Sequence, residues 1–270
     1  MIDWNLFAVG SHRTNCPACH RNPKDKTLGV LIHADGRGVA HCFRCELVIT
    51  THGLFNTNRT LRRDLTTKRH ERLSGYGWQL WQACRPISGV AEAYLHAREC
   101  VIPPVDGHLR WHPALKHSPT GCIGAALVAL VTHAVTGEAL TLHRTWISPN
   151  GTKADVDPPR MLLGNHSSKG GVIRLWPETS SHNCLGVGEG IETSLTLAHV
   201  IEPVWALIDA GHLSRFPALK DIDHLVIAMD RDNAGKEATL ECAARWLSAG
   251  KSVHITGQEV NDLNDLREVA

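Results

Sequence analysis

The sequence lacks several features that would place it in other broad classes of protein. Its most apolar stretch covers only residues 122–131, which is too short to cross a bilayer. The first residues have neither a basic start nor a long apolar core, so a signal peptide is not expected. No GxxxxGK[ST] pattern occurs, and its absence excludes a P-loop ATPase. We therefore expect a cytoplasmic protein that does not associate with a membrane.

Cysteine is present in nine copies, four of which form two CxxC pairs while the others are scattered. This usage suits a reducing compartment better than a disulfide scaffold. The composition is otherwise ordinary for a globular protein, with 43% hydrophobic and 20% charged residues. A chain of 270 residues is long enough for two or three compact units.

The net charge is only +1, but the charges are unevenly distributed along the chain. Residues 1–75 hold 12 Lys and Arg against 6 Asp and Glu, and residues 76–184 hold 9 against 7. Residues 185–270 hold 7 against 14. The basic N-terminal part favours a polyanionic partner, and the acidic C-terminal part favours a metal-binding region.

The two CxxC pairs, Cys16 with Cys19 and Cys42 with Cys45, are separated by 22 residues. This spacing is typical of a structural zinc site in which two tight turns each supply two thiolates. Between the pairs, residues 28–33 and 38–43 have the pattern of two strands joined by a hairpin turn. We predict a zinc ribbon over residues 1–52, in which one zinc ion supplies folding energy. Replacement of one cysteine ligand by His20 or His41 stays open.

Residues 53–75 form a second segment, which is basic and has no apolar periodicity; we predict a flexible linker. Contact with template phosphates and a simple solvated tether are equally compatible with it. Residues 76–184 predict a mixed α+β region. It has one helix over residues 89–98 capped by Ser88, and strands at 108–111, 125–132, 139–146 and 172–175.

The C-terminal region, residues 185–270, alternates strand and helix patterns, which predicts an α/β unit with a mainly parallel sheet. Two buried strands end at Glu189 and at Asp230 with Asp232. Functional crevices of such sheets lie at the carboxyl ends of the strands. Carboxylates gathered there would repel one another without a cation, and oxygen ligands without His or Cys suit Mg²⁺.

Two motifs in this region carry a family resemblance. Gly-Glu-Gly-Ile-Glu-Thr at residues 188–193, followed by Asp230-x-Asp232-x-Ala-Gly, resembles the Toprim domain of primases, type I topoisomerases and related nucleases. The N-terminal ribbon resembles the zinc domain of bacterial and phage primases. Its four cysteines match the primase half of phage primase–helicases more closely than the bacterial enzymes, which usually have His where this chain has Cys19.

The resemblance implies roles for the acidic residues. Asp230 and Asp232 would hold Mg²⁺ or Mn²⁺, two ions in all, and Glu189 would either ligate metal or act as a general base. Asp262 and Asp265 match the last acidic motif and would complete the site, although Asn261 stands where Lys often precedes it. An acid at such a position can instead be a helix N-cap, an alternative that is serious for Asp262 and weak for the Asp230 and Asp232 pair.

The middle region supplies the cations that a nucleotidyl transferase needs for a triphosphate and a template strand. We expect five of them to face the acidic site, with a plain surface role equally possible for any one: Arg144, Lys153, Arg160, Lys169 and Arg174.

The function implied is a DNA primase that makes short RNA primers on single-stranded DNA from ribonucleoside triphosphates, in a bacterial cytosol or a phage-infected host. It would work with a separate replicative helicase or DNA polymerase. Two rivals stay open, a Toprim nuclease and a non-enzymatic zinc-dependent DNA-binding module with a vestigial site. A type IA topoisomerase is excluded, since its nucleophilic tyrosine lies beyond the Toprim domain and this chain has only Tyr76 and Tyr94.

Overall fold

The computed structural model describes residues 2–19, 26–42, 44–45, 47–51, 53–54, 69–177, 183–230 and 232–256. The chain divides into two compact units, Met1–Thr67 and Lys68–Ala270. Asp262 and Asp265, most of the predicted linker and the alternative zinc ligand His20 lie outside the described residues. No helix in the described part of the chain is both long enough and apolar enough to cross a membrane.

The described part of the first unit is an antiparallel sheet of five strands in sequential order, preceded by a 3-10 helix over Trp4–Leu6. The strands are β1 (Gly10–Thr14), β2 (Leu28–Ile32), β3 (Gly38–Cys42), β4 (Val48–Thr50) and β5 (Gly53–Leu54). Alternate residues of β2 and β3 face one small core, as expected for strands exposed on one side. The predicted hairpin is present, and β5 lies inside the segment predicted as linker.

In the residues that the structure describes, the second unit is built on a nine-stranded sheet with five helices. The strands are β6 (Leu109–Lys116), β7 (Ile123–His133), β8 (Ala139–Trp146), β9 (Arg160–Leu162), β10 (Gly171–Arg174), β11 (Cys184–Gly188), β12 (Val204–Ala206), β13 (His224–Ala228) and β14 (Ser252–Thr256). The helices are α1 (Gly75–Ala83), α2 (Val90–Ala97), α3 (Ile191–Leu197), α4 (Ala210–Leu213) and α5 (Asn233–Ser248).

The four C-terminal strands β14, β13, β11 and β12 are parallel, as the strand and helix alternation predicts. The sheet then continues through β10, which pairs antiparallel with both β12 and β7. The predicted middle and C-terminal regions therefore contribute strands to one continuous sheet.

Three apolar clusters hold the helices against this sheet. Alternation along β10 shows the arrangement, since Ile173 packs in the cluster that α2 and α3 cover while Val172 packs in the cluster beneath α4 and α5. A third cluster of buried side chains lies between α1 and strands β7 and β8. Each helix position is therefore set by which face of the sheet its apolar side chains cover.

One local prediction in this unit is wrong, and one helix was missed. Helix α2 begins at Val90 after Gly89, which makes no side-chain cap; the predicted cap Ser88 accepts a hydrogen bond from Trp111 Nε1 at 3.2 Å instead. Helix α1 was not predicted at all, and the end of the predicted linker leads directly into it. Leu73 is buried in the third cluster, and the Ser74 hydroxyl caps α1 at Gly77 N.

Candidate active site and metal centre

Three acidic residues follow three adjacent parallel strands. Gly188, the last residue of β11, pairs with Ala206 of β12 on one side and with Ala228 of β13 on the other. The chain leaves these strands towards Glu189, Asp209 and Asp230, at the carboxyl edge where open α/β sheets carry their functional sites. Strand register therefore places Glu189 at the centre, with an acid on each side.

Glu189 is held in a strongly electronegative environment. Burial, followed by the neighbouring carboxylates of Asp230, Asp232 and Asp209, raises the pKa of its carboxyl to about 7, although a hydrogen bond from the Ala210 backbone acts in the opposite direction. Its Oε1 atom is buried and has no hydrogen-bond partner within the described residues. A Cβ added at Gly235 would lie 2.9 Å from that oxygen and 2.8 Å from the Asp230 carbonyl, so only glycine fits there.

Asp232 has a structural role that the sequence analysis gave little weight. It is the N-cap of α5, and its Oδ1 accepts a hydrogen bond from Gly235 N at 2.7 Å. This bond engages one carboxylate oxygen and leaves the second available to a ligand. The bond also fixes Asp232 at the start of α5, two residues after Asp230.

The carboxylates are close enough to interact but do not form a compact cage. Among the described residues, only the four ribbon cysteines form a group of three or more ligands whose atoms all lie within 4.8 Å of one another. Mg²⁺ is usually bound by one or two carboxylates together with waters and substrate phosphates. An open edge with the buried Glu189 oxygen fits that mode of binding, in which the substrate completes the coordination.

Asp209 and His212 are site residues that the sequence analysis missed. Asp209 caps α4 and accepts from both the backbone N and Nδ1 of His212, at 2.9 and 2.8 Å, while His212 Nε2 lies 2.9 Å from the Ser168 carbonyl. Burial works against both charges, but the pair lowers the pKa of Asp209 and raises the pKa of His212. The available signal was an acid at the end of a predicted strand, followed three residues later by histidine.

Two of the five predicted cations do not face the acidic edge. Arg144 is buried on the face of β8 that α1 covers, and it donates to the Leu162 carbonyl at 2.9 Å. Arg174 is buried, stacks 4.5 Å from the Trp205 ring, and donates to Thr132 and to the Ala134 carbonyl. Both guanidinium groups stabilise packing between strands, a use that charge patterns along a sequence do not reveal.

The other three predicted cations lie nearer the surface. Arg160 and Lys169 are exposed, whereas Lys153 Nζ lies 3.8 Å from the buried carboxylate of Glu192, which also accepts a 2.7 Å hydrogen bond from Tyr94. Burial opposes ionisation of Glu192, but Lys153 and Tyr94 lower its pKa. Glu192 stands in the first turn of α3, so this network ties α2 and the segment around Lys153 to the turn that follows Glu189.

The four ribbon cysteines converge in the first unit. Cys16 Sγ lies 3.6 Å from Cys45 Sγ, and Cys19 Sγ lies 3.5 Å from Cys42 Sγ. Burial opposes ionisation, but the backbone N–H groups of Cys45 and Arg44 lower the pKa of Cys42 to about 6. All four sulfur atoms lie within 4.8 Å of one another, so one metal ion could bind them together.

Replacement of Glu189 tests the electronegative environment. The raised pKa destabilises the fold as pH rises from 4.5 towards 7, because the unfolded carboxyl has ionised while the folded one has not. Without divalent metal, Glu189→Gln should therefore increase the free energy of unfolding by about 1–2 kcal/mol at pH 8, after allowance for solvent screening, and have little effect at pH 4.5. Urea unfolding of both proteins across this range measures it, and parallel profiles would contradict it.

Two segments of the chain match known families. Residues 184–270 match the Toprim domain family, and residues 71–175 match the family described as Domain of unknown function (DUF7146). No curated protein sequence matches the chain.

Three solved structures are similar. The primase fragment of the bacteriophage T7 primase-helicase protein is 17% identical and covers 97% of this chain and 95% of its own, with a TM-score of 0.47. A DNA primase domain from Pseudomonas aeruginosa is 14% identical, and the match covers 73% of this chain and 74% of that domain, with a TM-score of 0.47. The Aquifex aeolicus primase, with its zinc binding and RNA polymerase domains, is 13% identical, and the match covers 97% of this chain and 76% of that one, with a TM-score of 0.48.

The family match covers the whole segment in which the three acidic strand ends lie. It begins at the first residue of β11 and includes β12, β13 and α5. The C-terminal part of this chain, residues 184–270, is a Toprim domain.

Proposed function

We propose that the protein is a DNA primase, a nucleotidyltransferase that makes short RNA primers on single-stranded DNA from ribonucleoside triphosphates. The observation that carries the proposal is the arrangement at the end of β11. There the buried, unpartnered Oε1 of Glu189 lies beside the strand end that carries Asp230, within a Toprim domain. The same chain also has a four-cysteine ribbon in its first unit.

The proposed catalytic residues are Glu189, Asp230 and Asp232, with Asp262 and Asp265 as further candidates outside the described residues. Mg²⁺ or Mn²⁺ held there would supply positive charge to stabilise the attacking and leaving oxygens of phosphoryl transfer. The protein's own contribution is orientation, because the α5 cap fixes Asp232 at the start of that helix and Gly235 lets the Asp230 and Glu189 groups approach the helix. With a pKa of about 7, Glu189 suits either a metal ligand or a general base.

The cysteine cluster fits one structural zinc ion. Zn–S bonds of about 2.3 Å in a tetrahedron give sulfur–sulfur edges of about 3.8 Å, close to the two measured separations of 3.6 and 3.5 Å. We propose that the zinc ribbon contacts the template, since the N-terminal part of the chain carries a basic excess. Arg160, Lys153 and Lys169 are proposed as nucleotide or template contacts. A separate helicase or DNA polymerase is the proposed partner.

A primer-synthesis assay on a library of short single-stranded DNA templates, with labelled nucleotides and Mg²⁺ or Mn²⁺, tests the function. Labelled oligomers that require template support the primase. Cleaved template without oligomers supports a Toprim nuclease, and template retention without either product supports a binding module; both results would overturn the proposal.

Gly235→Ala tests the close approach of α5 to the acids. The added methyl group would meet the Glu189 carboxylate and the Asp230 backbone at 2.9 and 2.8 Å, so one of them must move. Primer synthesis should fall about a hundredfold, since small displacements of catalytic groups have effects of this size. Gly75→Ala is the matched control, because a Cβ at this other helical glycine meets nothing within 4 Å. Equal activity of the two variants would argue against a role for this packing.

A further inference from the structure

Glu192 is a buried acid that stands three positions after Glu189, in the first turn of α3. Only 5% of its surface is exposed. Its Oε1 atom accepts a hydrogen bond from the Tyr94 hydroxyl at 2.7 Å and lies 3.8 Å from Lys153 Nζ. Tyr94 is itself fully buried, in the cluster that α2 and α3 cover. Helix α2, helix α3 and the segment that carries Lys153 therefore meet at one carboxylate oxygen.

Stability alone does not explain this carboxylate. A buried ion pair loses much of its attraction to the desolvation of both charges, and apolar side chains of similar volume are often equally stable or more stable in its place. The neighbouring positions Ile191 and Leu195 of α3 are buried apolar residues. A charged carboxylate between them indicates a role in which the direction of its contacts matters.

The turn between Glu189 and α3 has no side-chain cap of its own. Gly190 is the N-cap of α3 and makes no side-chain hydrogen bond, whereas α4 and α5 each begin with an aspartate cap. The Gly190 carbonyl accepts hydrogen bonds from Ser194, from its backbone N at 3.1 Å and its Oγ at 2.8 Å. Because these bonds lie within the helix, only contacts made by residues such as Glu192 orient the first turn relative to the rest of the unit.

The elements that hold Glu192 are also packed against one another. A Cβ added at Gly151, two residues before Lys153, would lie 2.6 Å from the side chain of Ala97 in α2. After α2, Val101 N donates to the Leu195 carbonyl of α3 at 3.2 Å. The network therefore holds the first turn of α3 against a fixed part of the fold.

We propose that Glu192 is a positioning residue for Glu189. By fixing the first turn of α3, it sets the direction in which the Glu189 side chain projects at the acidic edge. On the other side, the Gly188 carbonyl accepts a hydrogen bond from Leu207 N at 2.8 Å, so Glu189 lies between two fixed points of the chain. The inference rests on the proposed function only in the catalytic use of Glu189.

Glu192→Gln in the full chain tests the fixed turn by hydrogen exchange. Glutamine keeps the shape of the side chain but removes the charge that Lys153 faces. The Ser194 amide, which closes the first turn onto Gly190, should exchange at least about tenfold faster, the effect of losing one charge-assisted contact. The Ala198 amide, which is bonded to the Ser194 carbonyl at the end of α3, should keep its protection.

Mn²⁺ binding and primer synthesis test the consequence for Glu189. Affinity for Mn²⁺, measured from the electron paramagnetic resonance of the free ion, should fall about tenfold in Glu192→Gln, because groups that orient metal ligands have effects of this size. The kcat of primer synthesis should fall by a similar factor while KM for the template stays unchanged.

Two further variants separate positioning from general stability. Glu92→Gln is the matched control, because Glu92 is also an acid in the first turn of a helix but is exposed; it should leave exchange, affinity and rate unchanged. Tyr94→Phe removes one hydroxyl from a ring that stays buried, and it should change the same quantities in the same direction. Combined with Glu192→Gln it should add nothing, since Tyr94 acts through Glu192. Thermal unfolding confirms that each variant folds.

The outcomes are distinct for the two proposals. Unchanged exchange at Ser194 in folded Glu192→Gln overturns the positioning role, and so does unchanged affinity where the unmodified protein binds Mn²⁺. If the unmodified protein neither binds Mn²⁺ nor makes primers, the proposed function fails. Faster exchange at Ser194 alone then still supports the fixation of the turn by Glu192.

Discussion

Asp230→Asn is expected to reduce primer synthesis by about three orders of magnitude while the fold is retained. Metal-ion stabilisation of transferring phosphoryl groups contributes several kcal/mol, which corresponds to roughly that factor in rate. Asparagine keeps the shape of the side chain and removes its charge, so the α5 cap by Asp232 is undisturbed. Initial rates on single-stranded templates over a range of Mn²⁺ concentrations measure the loss.

Asp223→Asn is the matched control for this experiment. Asp223 immediately precedes the same strand, β13, at the edge opposite Asp230, and pairs with Lys251 on the surface. Loss of a surface ion pair changes stability by about 1 kcal/mol or less and should not change the rate. Normal activity of Asp230→Asn, or an equal loss in both variants, would contradict a catalytic role for the acidic edge.

Cys42→Ser should remove zinc and unfold the first unit while the second unit stays folded. Among the described residues of that unit, the core cluster contains six buried residues, two of which are the cysteines Cys16 and Cys42, and a core of this size is too small to stabilise about fifty residues alone. Structural zinc contributes about 10–16 kcal/mol of binding free energy in comparable small domains. Metal analysis should fall from about one zinc per chain to almost none, given four ligands to one ion. Hydrogen exchange should show loss of amide protection in β1–β4 only.

The control for this prediction is Cys122→Ser, because Cys122 is an exposed free thiol outside the cluster. This variant should keep both its zinc and its amide protection. A zinc-free Cys42→Ser protein with a protected first unit would show that the ribbon folds without metal. That result would show that zinc is not needed to stabilise the first unit.

The sequence by itself determined the elements whose signal is local. The CxxC spacing indicated which four thiols meet, because two tight turns each fix a pair and the hairpin between them is short. Apolar runs bounded by acids and glycine located β11 and β13, since buried parallel strands are almost continuously apolar. Because parallel strands end at the same edge of a sheet, the sequence also predicted that Glu189 and Asp230, 41 positions apart, lie at one edge.

The tertiary structure alone decided the roles of residues that depend on the face or the edge of the sheet where they lie. Arg144 and Arg174 are cations like Lys169, yet burial between strands commits them to backbone carbonyls, while Lys169 stays at a cavity. The antiparallel pairing of β10 with β12 joined two regions into one sheet, and neither strand pattern carries information about its partner. Asp209 and His212 became candidate site residues because the start of α4 supplies the Ala210 N–H that binds Glu189. Such long-range contacts arise from packing, which residue spacing along the chain does not encode.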